Sequence, residues 1–465
     1  MKQKLPDFFA ILCLSFLIIS GTIDLDNLFE YANQSKPTYI LKDNTPGSNP
    51  IDDKIATLGR VLFYDKNLSV NNTMACASCH QQAFAFSDPL ITSLGLNGEN
   101  TGRHSMRLIN SRFANEVKFF WDERAVSLEN QVTQPIQDHV EMGFSGTDGT
   151  PDFDDLLLKL SAIDYYQTLF EFAFGDALID EDRIQKALAQ FVRSIQSFDA
   201  KFDNGFVQVS NVNAPFPNYT SQENLGKQLF LAPPNNGGAG CAGCHAPPEF
   251  DIDPNTLNNG IIGVVGAISE IDLFNTRAPS LRDIVNPDGG LNGPLMHDGS
   301  LTTLIEVINH YNEIPDNSAN TNLDNRLKPG GNTQMLNLST AEKEAIVAFL
   351  ETLTGIDVYT NEKWSNPFDS SENITLTGSV LSTQKEIFGK EINVYPNPIK
   401  DELNIKLEKG NYTISIFNIN GKEVFKKAID DFETFSLSFL NKGIYLLKVK
   451  DLVTHKTFSK KFVKE

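Results

Sequence analysis

The sequence predicts a mainly α protein with two similar domains in tandem, followed by a small all-β sandwich. Three observations lead to this prediction. A Cys-x-x-Cys-His motif occurs twice in the 465-residue chain, with 165 residues between the first cysteines of the two copies. Apolar residues recur at helical spacing in several stretches of residues 50–355, where few runs alternate apolar and polar residues. Short alternating strands with glycine-containing turns begin only after residue 390.

Residues 1–21 are predicted to be a secretory signal peptide. Lys2 and Lys4 precede an apolar run from Phe8 to Ile19, and polar sequence follows it. The run is shorter than the roughly 20 apolar residues of a membrane span, so we expect cleavage rather than a transmembrane anchor. Cys13 lies inside the run, and the other four of the five cysteines all belong to the two motifs.

The two motifs indicate covalent haem. Cys-x-x-Cys-His is the attachment signature of a c-type haem, in which both thiols bond to the porphyrin and the histidine ligates the iron. The alternative is one zinc site built from both cysteine pairs. A four-cysteine zinc site needs no histidine after each pair, however, and the chain has only seven histidines. We therefore predict two haem c groups, held by Cys76, Cys79 and His80 and by Cys241, Cys244 and His245.

A second repeated element supports two tandem domains. Gly59-Arg60-Val61-Leu62-Phe63 precedes the first motif, and Gly226-Lys227-Gln228-Leu229-Phe230 precedes the second. An amphipathic helix over 180–197 would close the first domain, and one over 339–353, with a Ser339–Glu342 capping box, would close the second. The predicted cytochrome c-like haem domains therefore span residues 45–200 and 201–356.

The chain changes character after the second domain. Residues 357–390 are polar, lack a helical period and predict a linker. Residues 391–465 are predicted to form the β-sandwich. This segment resembles the C-terminal sorting domain of type IX secretion substrates in Val394-Tyr395-Pro396-Asn397-Pro398 and in Lys442-Gly443-Ile444-Tyr445. The resemblance implies passage through the periplasm and, by the secretion machinery, to the cell surface or the outside of the cell. An accessory binding or spacer domain is the alternative.

Further motifs lie between and after the haem motifs. Phe120-Trp121-Asp122-Glu123-Arg124 is followed by Gln131 and Glu141, ten residues apart, and then by Pro294-Leu295-Met296-His297-Asp298-Gly299. With both haem motifs, this ordered set makes residues 50–355 resemble the bacterial di-haem cytochrome c peroxidase family, which includes MauG. The resemblance implies a peroxidatic N-terminal haem and an electron-transfer C-terminal haem.

The resemblance also implies catalytic roles. Gln131 and Glu141 would lie over the open face of the first haem and handle peroxide, and Trp121 would lie between the haems. Cleavage of an O–O bond needs a group that takes one peroxide proton and returns it, and a carboxylate in an apolar pocket has a raised pKa that suits this task. A surface carboxylate is the alternative for Glu141, and ordinary core packing is the alternative for Trp121.

The axial ligands depart from the peroxidase pattern. His104 lies later than the histidine that ligates the first haem in typical peroxidases, so we expect His104 to be structural and the first haem to lack that ligand. Tyr311 occupies the position of the methionine ligand of the second haem, with His310 and then Met296 as competing ligands. The family also holds calcium, for which residues near His104 and Arg277-Ala278-Pro279 are candidates, although histidine is a poor calcium ligand.

The sequence thus predicts an exported peroxidase that reduces hydrogen peroxide with electrons from a small redox protein. There are three alternatives: a MauG-like oxidase that modifies a protein or organic substrate, a non-enzymatic di-haem electron carrier, and a haem-based surface binding or sensing module. The net charge of −20 argues against nucleic acid as a partner, because its phosphates would be repelled. The same charge leaves room for a basic electron donor to be steered in, and simple solubility of an exported protein is the alternative.

Overall fold

The computed structural model describes residues 21–378, apart from 116 and 268, and residues 393–465, apart from 408, 419–421 and 454–456. The described residues form two compact units that divide after Gly378. The predicted signal peptide, up to residue 20, and residues 379–390 of the predicted linker lie outside the described residues. Among the described residues, no helix combines the length and apolarity that crossing a bilayer requires.

The first unit consists of helices joined by long loops. Its α-helices are α1 (Asp53–Tyr64), α2 (Cys76–Cys79), α3 (Leu128–Val132), α4 (Gln134–Gln137), α5 (Phe153–Ser161), α6 (Asp164–Phe174), α7 (Glu181–Ser194), α8 (Lys201–Phe206), α9 (Ser221–Leu231), α10 (Leu304–Asn312), α11 (Thr340–Glu351) and α12 (Asp357–Thr360). Its short strands are β1 (Thr22–Asp24), β2 (His245–Ala246), β3 (Asp251–Ile252) and β4 (Thr375–Thr377).

The same helix crossing occurs twice in this unit. Helix α1 packs on α7, and a Cβ on Gly59 would lie 2.0 Å from the Ala187 carbonyl oxygen. Helix α9 packs on α11, and a Cβ on Gly226 would lie 1.8 Å from the Ala345 carbonyl oxygen. Only glycine allows backbones to approach this closely. Each repeated glycine thus fits one helix against the helix that was predicted to close its half.

Loops supply more of the unit than the sequence predicted. The described residues between α2 and α3, and between β3 and α10, contain no α-helix. Helix accounts for only 30% of the described residues, so the mainly α prediction was too strong. Polar side chains replace helical hydrogen bonds in these stretches, as where Asn286 Oδ1 accepts from the backbone N–H of Gly290 at 3.0 Å.

The predicted linker begins too early. Residues 357–378 pack on the first unit, where Trp364 is completely buried and its Nε1 donates to Ser194 Oγ at 3.2 Å. The hydroxyl of Tyr64 donates to the Trp364 carbonyl oxygen at 2.6 Å, and β4 pairs in parallel with β1. The polar composition of this segment gave no indication that Trp364 is buried, and the burial of this large side chain stabilises the packing of the segment.

The second unit is the predicted all-β sandwich. One sheet has the strand order β5 (Asn393–Tyr395), β6 (Glu402–Lys406), β9 (Glu433–Ser436), and the other has the order β11 (Thr457–Lys464), β10 (Gly443–Asp451), β7 (Tyr412–Asn418), β8 (Glu423–Ile429). All the pairings are antiparallel. Alternate residues of the strands, such as Leu403, Ile414 and Leu447, fill one buried core.

Candidate functional site

The first Cys-x-x-Cys-His motif lines a cavity of about 540 Å³ in the first unit. Helix α2 is one turn long and presents Cys76 and Cys79 to this cavity, and His80 follows directly. The backbone N–H of His80 donates to the Cys76 carbonyl oxygen at 2.9 Å, which fixes the turn. The volume lies within the range of about 300–1,000 Å³ that is usual for cofactor sites.

His80 is oriented as a metal-ligating histidine would be. Its Nδ1 lies 3.1 Å from the carbonyl oxygen of Phe86, and the Met106 backbone carbonyl also interacts with the ring. With Nδ1 donating to Phe86, Nε2 would be the nitrogen that binds a metal. The chain reaches this position because Ala85 and Phe86 adopt left-handed backbone conformations, with φ of 51° and 59°. Burial lowers the pKa of His80 and keeps the imidazole neutral.

The second motif lines a separate cavity of about 580 Å³. Cys241 and Cys244 lie at the end of a loop that follows α9, and His245 begins β2. Burial lowers the pKa of His245 to about 4, so this imidazole is also neutral. The backbone carbonyl of Phe250 interacts with this imidazole, as that of Phe86 does with His80.

The donor sets fit haem rather than zinc. The four cysteines are free thiols, and each pair faces its own cavity with its own histidine. Among the described residues, no group of three or more His, Cys, Asp or Glu side chains is arranged to hold a metal ion. The single zinc site is therefore excluded for this part of the chain, and calcium near His104 gains no support.

Gln131 and Glu141 lie on the wall of the first cavity. Gln131 belongs to α3, whose first turn is capped by Ser127 Oγ accepting from the Asn130 N–H at 3.1 Å. The loop after α4 is held by Asp138, whose Oδ1 accepts from the Glu141 N–H at 3.0 Å. Burial, with the charge of Asp138 in support and that of Arg124 in opposition, raises the pKa of Glu141 to about 7.

A smaller cavity of about 270 Å³ adjoins the Glu141 side of the first cavity. Glu141, Asp138, Arg124 and Phe120 line both cavities, and the exposed Gln137 lines the smaller one. The Arg124 guanidinium stacks on the Phe120 ring, 3.5 Å from its centroid. A polar route of this size from the surface to Glu141 suits a small oxidant such as a peroxide.

Trp121 lines both the first and the second cavity. Its Nε1 donates to the His104 carbonyl oxygen at 2.8 Å, and its own carbonyl oxygen accepts from the N–H groups of Thr276 and Arg277 at 3.0 and 3.1 Å. Its ring centroid lies 6.3 Å from that of His297, in an edge-on arrangement. The indole is thus fixed in the wall that the two cavities share.

His104 also lies in this wall, but both of its ring nitrogens face protein atoms. Nδ1 lies 3.1 Å from the carbonyl oxygens of Leu90 and Ile91, and Nε2 lies 3.3 Å from Ser87 Oγ. The residue is only 5% exposed. These contacts fit the expected structural role better than ligation.

Tyr311, on α10, lines the second cavity. Met296, in the loop before that helix, lines it as well. Asn259 Nδ2 lies 3.1 Å from the Tyr311 hydroxyl and 3.3 Å from Met296 Sδ, so one amide holds both side chains. His310 does not line the cavity, because its Nε2 lies 2.9 Å from the Asn259 carbonyl oxygen. Sequence reasoning missed Asn259, for which the only local signal is a turn-forming Asn-Gly pair.

Each of the two units is similar to known proteins. A family model described as di-haem cytochrome c peroxidase matches residues 53–209, and one described as a secretion system C-terminal sorting domain matches residues 393–465. The chain is 30% identical over 354 residues to the methylamine utilization protein MauG of Methylophilus methylotrophus, which covers 74% of this chain and 95% of that protein. It is 27% identical to cytochrome c551 peroxidase of Nitrosomonas europaea, over 66% of this chain and 81% of that protein.

A solved structure agrees with these matches. The crystal structure of a MauG-like protein associated with microbial copper homeostasis superposes with a TM-score of 0.58 and 28% identity, over 72% of this chain and 99% of that chain. Fold and site together define an oxidoreductase of the c-type haem class. The chain belongs to the di-haem cytochrome c peroxidase and MauG family. It also carries a type IX sorting domain, which implies export to the cell surface or the outside of the cell.

Proposed function

We propose that this protein is a di-haem c peroxidase that reduces hydrogen peroxide to water with electrons from an external one-electron donor. The observation that supports this most is the asymmetry of the two cavities. Gln131 and Glu141 line the cavity of the first motif, beside a polar route to the surface, whereas Tyr311 and Met296 face the cavity of the second motif. The first cavity would be the peroxide site, and the second would be the site of electron entry.

The six motif residues would hold the two haems. Cys76 and Cys79 would bond to the first porphyrin and Cys241 and Cys244 to the second, with His80 and His245 as the proximal ligands. A bound haem supplies the iron chemistry that cleaves an O–O bond. The second haem would take its remaining ligand from Tyr311 in preference to His310, which lies outside the cavity wall.

Glu141 would move the proton. As a carboxylate it accepts a proton from one oxygen of the entering peroxide, and as the acid it returns that proton to the other oxygen, which leaves as water. Complete reduction consumes two electrons and two protons and yields two water molecules. The raised pKa of Glu141 suits both halves of this transfer at neutral pH. The Gln131 amide would orient the bound oxidant by a hydrogen bond.

Trp121 would lie on the path of the electrons. It is the large aromatic side chain that lines both cavities, and three hydrogen bonds to its indole and carbonyl groups hold it still. A fixed contact of this kind shortens the gap that an electron must cross between the two sites. We therefore expect Trp121→Ala to slow donor-coupled turnover while leaving both haems attached.

A second candidate function is a MauG-like oxidase that modifies a protein or an organic substrate. Tyr311 in the second cavity favours it, since a phenolate-type ligand stabilises the oxidised iron more than a thioether does. The identity to MauG proteins also favours it. The two candidates share the first cavity and differ in where the electrons come from.

The test begins with haem content and continues with turnover. Full-length protein from a host with haem-ligation machinery should retain two haems per chain after acid–acetone extraction. Mixed with peroxide and a reduced monohaem cytochrome c, it should oxidise two donor molecules per peroxide. Peroxide consumption without donor oxidation, coupled instead to oxidation of an added protein or amine, would establish the oxidase in place of the peroxidase.

Matched cysteine variants assign the two sites. Replacing Cys76 and Cys79 with alanine should leave one haem and abolish peroxide consumption. Replacing Cys241 and Cys244 with alanine should also leave one haem, but the reaction that it should abolish is oxidation of the electron donor. The reverse pattern would exchange the proposed roles of the two cavities.

A further inference from the structure

Arg107 is a buried cation in the wall that the two cavities share. It lines both cavities and is only 8% exposed. Its Nη2 donates to the Ser280 carbonyl oxygen at 3.0 Å. Its buried Nε has no hydrogen-bond partner among the described residues. The side chain therefore keeps a charge and at least one donor that the described protein does not satisfy.

Two of the other buried arginines of this unit are neutralised by carboxylates. Arg193 pairs with Glu129, and Arg282 pairs with Asp203 at 2.8 Å. Within the described parts of the chain, no carboxylate lies within ion-pair distance of Arg107. Asp283 acts on Arg107 from further away, but its Oδ1 accepts from the Gly355 N–H at 2.9 Å and burial raises its pKa to about 6. A buried charge without a counter-ion is costly, so this position calls for an anion.

The proposed cofactors supply such an anion. Each haem carries two propionates, and these carboxylates are its negatively charged groups. We propose that Arg107 binds a haem propionate, as an anchor in the wall between the two haem sites. The inference rests on the proposed attachment of two haems, but not on which reaction they perform. It adds a cofactor-binding residue beyond the cysteines and histidines of the two motifs.

This assignment has a redox consequence. A guanidinium on a propionate disfavours the more positively charged oxidised haem, so it raises the reduction potential of that haem. Arg107→Gln should therefore lower the midpoint potential of at least one haem in a spectroelectrochemical titration of the full-length protein. Arg107→Lys keeps the charge, whose Coulombic interaction with the haem sets this shift, and should restore most of the native value.

Arg112→Gln is the matched control. It removes one arginine charge from the same segment, but Arg112 pairs with Asp43 and lines neither cavity. A shift in Arg107→Gln that does not exceed the shift in Arg112→Gln would overturn the proposal, as would a shift in Arg107→Lys as large as that in Arg107→Gln. If Arg107→Gln lost a haem, native potentials and two haems in Arg107→Lys would support the proposal, and haem loss in both variants would refute it.

The outcome is separable from that of the proposed function. Native protein that holds two covalent haems but does not turn over peroxide would refute the peroxidase, while the potentials of the Arg107 variants would still decide the role of Arg107. Native protein with no covalent haem would refute both.

Discussion

The two cavities are built on the same scaffold and differ in what faces them from the loops. Each has a Cys-x-x-Cys-His motif beside a helix crossing in which glycine meets a carbonyl oxygen, and their volumes are about 540 and 580 Å³. The first is lined by Gln131 and Glu141 and adjoins a polar route to the surface. In the second, Asn259 holds Tyr311 and Met296 in place. One attachment unit can thus serve two tasks, because the loops set the chemistry of each cavity.

Removing the Glu141 carboxylate should change the activity of the first cavity more than any other substitution proposed for the two cavities. Glu141→Gln keeps the shape of the first cavity and removes its proton acceptor, so we expect peroxide turnover to fall about 10²–10⁴-fold, the usual contribution of a general acid–base group. Stopped-flow measurement of peroxide consumption with a reduced donor tests this. Glu99→Gln, at an exposed carboxylate outside the cavity walls, should change the rate little. Unchanged turnover in Glu141→Gln, with both haems retained, would favour the electron carrier over the enzyme.

The dependence of peroxide turnover on pH should report the ionisation of Glu141, with a smaller change in rate. Because burial raises the pKa of Glu141 to about 7, the side chain is protonated below that pH and becomes a carboxylate above it. If the carboxylate is the proton acceptor, turnover should reach a plateau above about pH 8 and fall roughly tenfold per unit below about pH 6. The acidic limb should disappear in Glu141→Gln. A limb that persists in that variant would assign the titration to another group.

The sequence predicted the residues that meet at each cavity better than it predicted their contacts. Cys76, His80, Gln131 and Glu141 lie on one cavity, as the ordered motifs suggested, and Trp121 lies on both. The glycine repeat predicted two similar halves, and each glycine lies at a close helix crossing that the sequence alone did not predict. Signals of this kind are local, because spacing and residue type can be recognised without the fold.

The remaining features depend on contacts between distant residues. Asn259 meets Tyr311 across 52 positions of sequence, and Trp364 meets Ser194 across 170. Neither pairing leaves a periodic pattern, so residues 357–378 looked like a linker and Asn259 looked like an ordinary turn residue. Arg107 was missed for a similar reason. Its burial between two cavities is a property of the packed loops, and a lone arginine in a loop normally indicates a solvated surface.

A substitution at Tyr311 should sharpen the comparison within the second cavity. If the phenolic oxygen is the ligand, Tyr311→Phe should raise the midpoint potential of one haem and change its spectrum, because a ligand that favours oxidised iron is lost. Met296→Leu in the same cavity should have little effect. Peroxide consumption at the first site should remain in both variants when reduced donor is supplied in excess. The opposite pattern, with a large shift only in Met296→Leu, would make the thioether the ligand.

The two helix crossings offer the finest test of how alike the halves are. A methyl group on Gly59 or Gly226 would meet the carbonyl oxygen of Ala187 or Ala345, so the helices must separate in either variant. We expect Gly59→Ala and Gly226→Ala each to lower the free energy of unfolding by about 1–3 kcal/mol, the usual cost of overpacking. Denaturant unfolding of the holoprotein measures this, and Gly47→Ala, at an exposed position with nothing within 4 Å of the added methyl group, is the control. Since the two crossings are alike, similar costs are expected at both glycines. A loss of unfolding free energy at one glycine only would mean that the helices of one crossing can move apart to accept the methyl group and those of the other cannot.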